Sequence, residues 1–130
     1  MNIFKGWIDR GLISGVCYGG KRFYDQGGLA GKKAMLAITI DGQPHMLVKD
    51  GVLGELNDML KPIIRGTLAY TGMAVLPTFV AHHVPYISQE ARANLLEQYR
   101  QHLRSQYRFM FPASNSSLRA RCALRLHGTA

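Results

Sequence analysis

The residues most open to chemistry lie where an apolar run meets a turn. Ala34-Met35-Leu36-Ala37-Ile38-Thr39-Ile40 carries no charge and no alternation, and Asp41-Gly42-Gln43-Pro44 stops it. Such a run predicts a strand of a parallel sheet covered on both faces. Thr39, Ile40, Asp41 and Gly42 then fall at its carboxyl end, the edge at which open α/β sheets bind ligands. Taken alone, the four residues read first as an ordinary strand-to-loop turn. His82 and His83 are adjacent at the end of a second apolar run, so their side chains alternate faces and do not chelate one metal together. Cys17 and Cys122 stand far apart, with no CxxC or Cys/His spacing, which points to neither zinc nor a disulfide framework and fits a reducing compartment. The glycines between Gly15 and Gly31 form neither GxGxxG after a strand nor GxxxxGK[ST], so neither nucleotide fingerprint is met. No metal site is expected.

These residues need elements to hold them. Ile3, Phe4, Trp7, Ile8 and Leu12 recur at helical spacing and predict an amphipathic helix over residues 2–12. Gly15 to Gly28, rich in glycine and aromatics, reads as a long shaped loop of the kind that is often functional. Glu55 to Tyr70 predicts a helix bent or restarted at Pro62, with Leu56, Met59, Leu60, Ile63, Ile64 and Leu68 inward and Gly72 closing it. Met73 to Ala81 is a second strand, and Pro77 inside it argues for a sheet edge or a bulge. Ser88 is the expected N-cap of a last helix to about Arg104, with Leu95, Leu96, Tyr99 and Leu103 inward. Trp7, Met35, Met59 and Met73 read as core. The order helix, strand, helix, strand, helix implies an α/β class with parallel strands joined by right-handed crossovers. Two strands are few for a sheet covered on both faces.

The 130 residues suit one domain, and 47% hydrophobic content is enough for a packed core. Sixteen Lys and Arg against eight Asp and Glu give a formal charge of +8, which favours anionic partners without choosing among them. Several arginines, among them Arg119, Arg121 and Arg125, belong to a closing stretch without periodicity. The expected organisation is a domain over residues 1–107 and an irregular or disordered tail over 108–130. A nucleic-acid binder has the net charge in its favour and no recognisable motif, so no nucleic-acid partner is expected. No run is apolar for the span a bilayer needs, and a cytoplasmic location without a transmembrane segment is expected.

Three stretches carry a resemblance. Lys5-Gly6-Trp7-Ile8-Asp9-Arg10, Phe23 to Gly42 with Tyr24-Asp25 and Gly31-Lys32-Lys33, and Gly51 to Phe79 resemble, in order, the NAD(P)H dehydrogenase (quinone) family. With the helix bearing Arg92 they cover the chain to about Leu103. The resemblance implies a flavodoxin-like parallel sheet with flanking helices, a homodimer, FAD or FMN as cofactor, and hydride transfer from NAD(P)H through the flavin to a quinone substrate. It also implies that the N-terminal strands, with the first phosphate-binding loop and an aromatic flavin-packing loop, precede the KGWIDR-like helix and are missing here, to be supplied by another chain if at all.

By the same resemblance Thr39, Ile40, Asp41 and Gly42 are cofactor-binding, their backbone lying against the flavin ring. Asp41 stands where a glycine is usual, which would disfavour an anionic reduced flavin. Leu47 and Leu53 stand at the positions of a Tyr and a His that assist charge transfer, and neither can donate a proton. No catalytic residue is therefore expected. Tyr18 matches an aromatic position near the quinone pocket and Arg92 an arginine near the flavin's phosphate or adenine end. Alone, Tyr18 reads as a packing residue and Arg92 as a solvated charge. The other reading is a non-catalytic ancillary protein, such as a regulatory subunit of a potassium-efflux system.

Overall fold

The computed structural model describes residues 2–110. The chain divides into two compact units, Met1–Ile87 and Ser88–Ala130.

In the first unit, α1 (Asn2–Gly11) begins the chain, with Lys5 and Asp9 paired one turn apart. A looped segment follows, pinned by a short helical turn at Tyr24–Gln26. Then come β1 (Lys33–Thr39), a turn at Pro44–Leu47, α2 (Leu56–Ile63), a π-helical continuation at Ile64–Ala69, and β2 (Ala74–Ala81). The expected break at Pro62 takes the form of that widened helix. Pro62 sits inside α2 without an amide to donate, and at the end of the widened stretch two bonds reach five residues back, Tyr70 N–H to the Arg65 carbonyl at 3.1 Å and Met73 N–H to Leu68 at 3.2 Å.

β1 and β2 are parallel and form a two-stranded sheet. The pairing runs from Lys33 opposite Ala74 to Thr39 opposite Ala81, with a shift between Met35 and Ala37. Leu36 therefore faces both Pro77 and Thr78, a bulge at the proline, as the sequence predicts. The core beneath is small. Leu12, Cys17, Leu47, Leu68, Thr71 and Ala81 are buried.

Several expected core residues lie elsewhere. Trp7 is 49% exposed, Met59 54% and Leu96 59%. β1 is only partly covered, with Ala37 and Thr39 exposed in mid-strand and at its end. Periodicity marks which side of an element is apolar, but these sides have little or nothing packed against them among the described residues.

In the second unit, α3 (Gln89–Met110) starts where expected, the Ala91 amide donating to the Ser88 Oγ at 3.2 Å. It continues past Arg104 and through the expected boundary at residue 107. The rest of the expected tail, 111–130, lies outside the described residues. Ser88→Ala should remove that cap and cost about 1 kcal/mol of helix stability, read as an earlier loss of helicity in thermal denaturation.

Candidate functional site

The first candidate site is the carboxyl end of the sheet. The strand alignment continues past β1: Ile40 N–H donates to the Ala81 carbonyl at 2.8 Å, and Val84 N–H donates to the Ile40 carbonyl at 3.4 Å. Thr39 and Asp41 are exposed, and Ile40 and Gly42 half-buried. The turn after them is built over leucines. A Cβ at Gly42 would stand 3.2 Å from a Leu53 methyl and 3.9 Å from a Leu47 methyl. Leu53 N–H donates to the Met46 carbonyl at 2.9 Å and Gly51 N–H to Val48 at 2.8 Å, which folds the loop back on the strand end. Leu47 and Leu53 thus flank Gly42 as apolar packing and bring no proton donor.

His83 joins this edge, a contact that adjacency to His82 does not reveal. Its Nδ1 lies 3.0 Å from the Asp41 carbonyl oxygen, which only accepts, so Nδ1 carries the proton and donates. The link spans two strand ends and needs a left-handed backbone at His83, φ +57°. The His83 ring centroid is 4.8 Å from that of Tyr86. The neighbouring His82 Nδ1 is buried without a hydrogen-bond partner among the described residues. The two histidines differ in surroundings, as their alternation implies, and among the described residues no group of three or more His, Cys, Asp or Glu could hold a metal.

The second site lies at the other end of the strands. Tyr18 is half-buried, its ring centroid 5.9 Å from that of Tyr70. Phe23 stacks on Tyr70 at 6.2 Å with planes 8° apart, and Tyr24 meets the same ring edge-on at 5.6 Å. Tyr70 is the hub, placed by the π-helical turn before it. Thr71 is buried beside it, its hydroxyl donating to the Leu68 carbonyl at 2.9 Å. The glycine-rich loop is tied to this turn by Tyr24 N–H to Tyr70 O at 2.8 Å and Leu29 N–H to Thr71 O at 2.9 Å. A cavity of about 310 Å³ opens here, lined by Ile8, Asp9, Leu12, Tyr18, Thr67 and Tyr70 among others. Aromatic walls with hydroxyl tips suit a flat, mostly apolar ring with a polar substituent. Sequence alone singles out Tyr18; Tyr70, hidden in a helical pattern, is found only by its contacts.

The two sites are separate. Tyr18 packs near the amino ends of β1 and β2, whereas Thr39 to Gly42 close their carboxyl ends, so the length of β1, roughly 20 Å, lies between them. Arg92 sits in the first turn of α3, exposed, its amide donating to the Ser88 carbonyl at 3.0 Å.

Comparison with known proteins places this arrangement. Residues 2–103 match the family described as having a flavodoxin-like fold. The chain is 39% identical over 103 residues to ribosyldihydronicotinamide dehydrogenase [quinone] of Mus musculus, covering 79% of this chain and 45% of that protein. It is 35% identical over 101 residues to NAD(P)H dehydrogenase [quinone] 1 of Rattus norvegicus, covering 78% and 37%. A Klebsiella pneumoniae crystal structure described as a proposed quinone reductase superposes with a TM-score of 0.61 at 31% identity, over 75% of this chain and 42% of that one. The chain spans less than half the length of each of these three relatives.

Proposed function

Because the chain belongs to the flavodoxin-like fold family, we propose that it forms the flavin-edge portion of an NAD(P)H-dependent oxidoreductase that reduces quinones. The observation that carries this reading is the position of Thr39 to Gly42. They occupy the carboxyl end of a parallel strand, where this fold class binds its ligands, and Gly42 adds bare backbone at that edge.

The residues present fit one wall of a flavin site. Gly42 offers bare backbone, Leu47 and Leu53 back it from behind, and the exposed Thr39 and Asp41 leave the front open. FAD, or FMN in its place, would accept a hydride from NAD(P)H and pass it to the quinone. The chain's own part is to position. Thr39 to Gly42 would hold the ring by backbone contact and Tyr18 would stack on or hydrogen-bond the quinone, while the role the resemblance implies for Arg92 is that its guanidinium would meet phosphate. The leucines at 47 and 53 leave proton movement to groups outside this loop.

Since Tyr18 and the Thr39 to Gly42 turn lie a strand's length apart, one copy does not present both to the same ring. The reading therefore calls for a homodimer or for a second chain that completes the site. The relatives are named for a dehydrogenase reaction with quinone, which favours this reading over an ancillary role in potassium efflux. Among the described residues no helix is long and apolar enough to cross a membrane.

Flavin fluorescence titration tests it. Saturable quenching of FAD or FMN is expected, too weak for the complex to survive gel filtration, together with slow NADH-dependent quinone reduction under saturating flavin. Absence of saturable quenching with either flavin would sink the proposal.

A further inference from the structure

The Asp41–Gly42 peptide is held from one side. Successive carbonyls along a strand alternate in direction. Those of Ile40 and Asp41 are nevertheless both taken by the segment after β2: Ile40 accepts from Val84 N–H at 3.4 Å, and Asp41 from His83 Nδ1 at 3.0 Å. The alternation of β1 therefore ends at Asp41. Among the described residues, the His83 contact is the one hydrogen bond this peptide makes, and the Gly42 amide donates to no group. In a planar trans peptide the carbonyl and the following amide point in opposite directions. With the Asp41 carbonyl turned to His83, the Gly42 N–H is turned away from the end of β2, at an edge where Gly42 brings no side chain and Asp41 is exposed.

The backbone around His83 is shaped to deliver its ring to this carbonyl. Its left-handed conformation, φ +57° and ψ +23°, is uncommon outside glycine and is reached most readily by asparagine, aspartate and histidine. The turn Val84–Tyr86 follows at once, with Pro85 in its first residues and the Tyr86 amide donating back to the His83 carbonyl at 3.0 Å. That turn also sets the Tyr86 ring beside the imidazole. A residue in a costly conformation, locked by a proline-bearing turn, thus directs its side chain to a backbone carbonyl beyond the neighbouring strand.

We infer that His83 is a positioning residue: by holding the Asp41 carbonyl it fixes the plane of the Asp41–Gly42 peptide and presents the Gly42 N–H to a hydrogen-bond acceptor, a carbonyl or nitrogen on the rim of a flat ring. That the ring is a flavin rests on the proposed function; the hold of His83 on the peptide does not. Without that hold no other hydrogen bond among the described residues restrains the peptide, and rotation of its plane redirects the amide. Leu47 and Leu53, which back Gly42, bring no donor to replace it.

The test begins with the ¹⁵N-labelled 130-residue chain, free of flavin. At about pH 8.5, roughly two units above the pKa of free imidazole, the two-bond nitrogen–proton correlation of the His83 ring should place the proton on Nδ1, as its acceptor dictates. A ring protonated at Nε2 instead would overturn the inference. His83→Leu and His83→Gly both remove the donor, and the glycine also relieves the left-handed backbone, whereas His83→Asn keeps an N–H near the Nδ1 position and accepts that backbone. The Gly42 amide should have an order parameter of about 0.85 in the parent and in His83→Asn, and below about 0.6 in the other two. Flavin, followed by fluorescence quenching, should bind about fivefold more weakly to His83→Leu and His83→Gly, the effect of one hydrogen bond, and to within about twofold of the parent in His83→Asn. Parent-like order at Gly42 or parent-like affinity in His83→Leu would overturn the inference, as would an equal loss in all three variants, which a purely structural histidine gives. A parent that quenches no flavin would remove the flavin reading and leave the tautomer and the order parameters to decide this one.

Discussion

Replacing Gly28 with alanine should cost about 3 kcal/mol of stability, at the upper end of what overpacking usually costs, and lower the melting temperature by roughly 12 °C or more. Gly28 is exposed, so burial gives no warning. The cause is the path of the glycine-rich loop. The Gly28 amide donates to the Cys17 carbonyl at 2.9 Å, and a Cβ built on Gly28 would fall well inside van der Waals contact of the Val16 carbonyl oxygen. The obstacle is backbone, which has no rotamer by which to yield. Gly27 stands in the same relation to the Thr71 backbone, so the loop approaches the Tyr70 turn on one side and the Cys17 segment on the other through two consecutive glycines. Gly6, in α1, would meet nothing within 4 Å, and Gly6→Ala should be neutral or stabilise by about 0.5–1 kcal/mol. Urea denaturation of both variants reads the contrast. Equal stability of the Gly28 variant and the parent would mean the loop does not run where described.

This loop shows how far the sequence could be read. Its glycine and aromatic content marks it as shaped, and the apolar runs mark both strands, because composition alone decides those matters. Pro77 announces the bulge because a residue without an amide cannot sit in a regular ladder. What composition does not carry is which residues meet across the chain. The contact of His83 with Asp41 joins two strand ends, and the gathering of Phe23, Tyr24 and Tyr18 around Tyr70 depends on a helix that widens by one residue per turn. Trp7 and Met59 were misplaced for a related reason. Helical spacing identifies an apolar side, but burial also requires a neighbour from another element, and among the described residues theirs leave Trp7 and Met59 about half exposed. The separation of Tyr18 from Thr39 to Gly42 is a property of strand direction, invisible in a string in which both lie near the same glycines.

Asp41→Gly should tighten flavin binding about tenfold, and Asp41→Asn about fivefold. A unit charge at 4 Å is worth about 1 kcal/mol in water and more as solvent is excluded, and Asp41 is exposed, so the lower figure applies to the charge. Asparagine removes the charge and keeps the bulk; glycine removes both and gives bare backbone next to Gly42. Fluorescence titration of the two variants separates the causes. Improvement in glycine alone would assign the effect to obstruction, and improvement in both to repulsion of the electron-rich flavin and its phosphates. No gain in either would remove this turn from the flavin site. The His83 contact is made to the Asp41 backbone carbonyl, so neither substitution deletes it.

The parallel pairing of β1 with β2 also has a consequence during synthesis. Lys33 and Ala74 are partners about forty residues apart, and nothing in between pairs with β1. At ordinary elongation rates β1 waits roughly 2 to 8 s for its partner to be made. For that interval the edge of β1 that β2 later covers stays open, along a seven-residue segment whose one charge is Lys33. Faster translation shortens the wait, and slower translation lengthens the time in which neighbouring nascent chains on one message can pair with each other instead. The yield of folded protein should accordingly depend on codon choice between Lys33 and Ala81 as well as on the final stability.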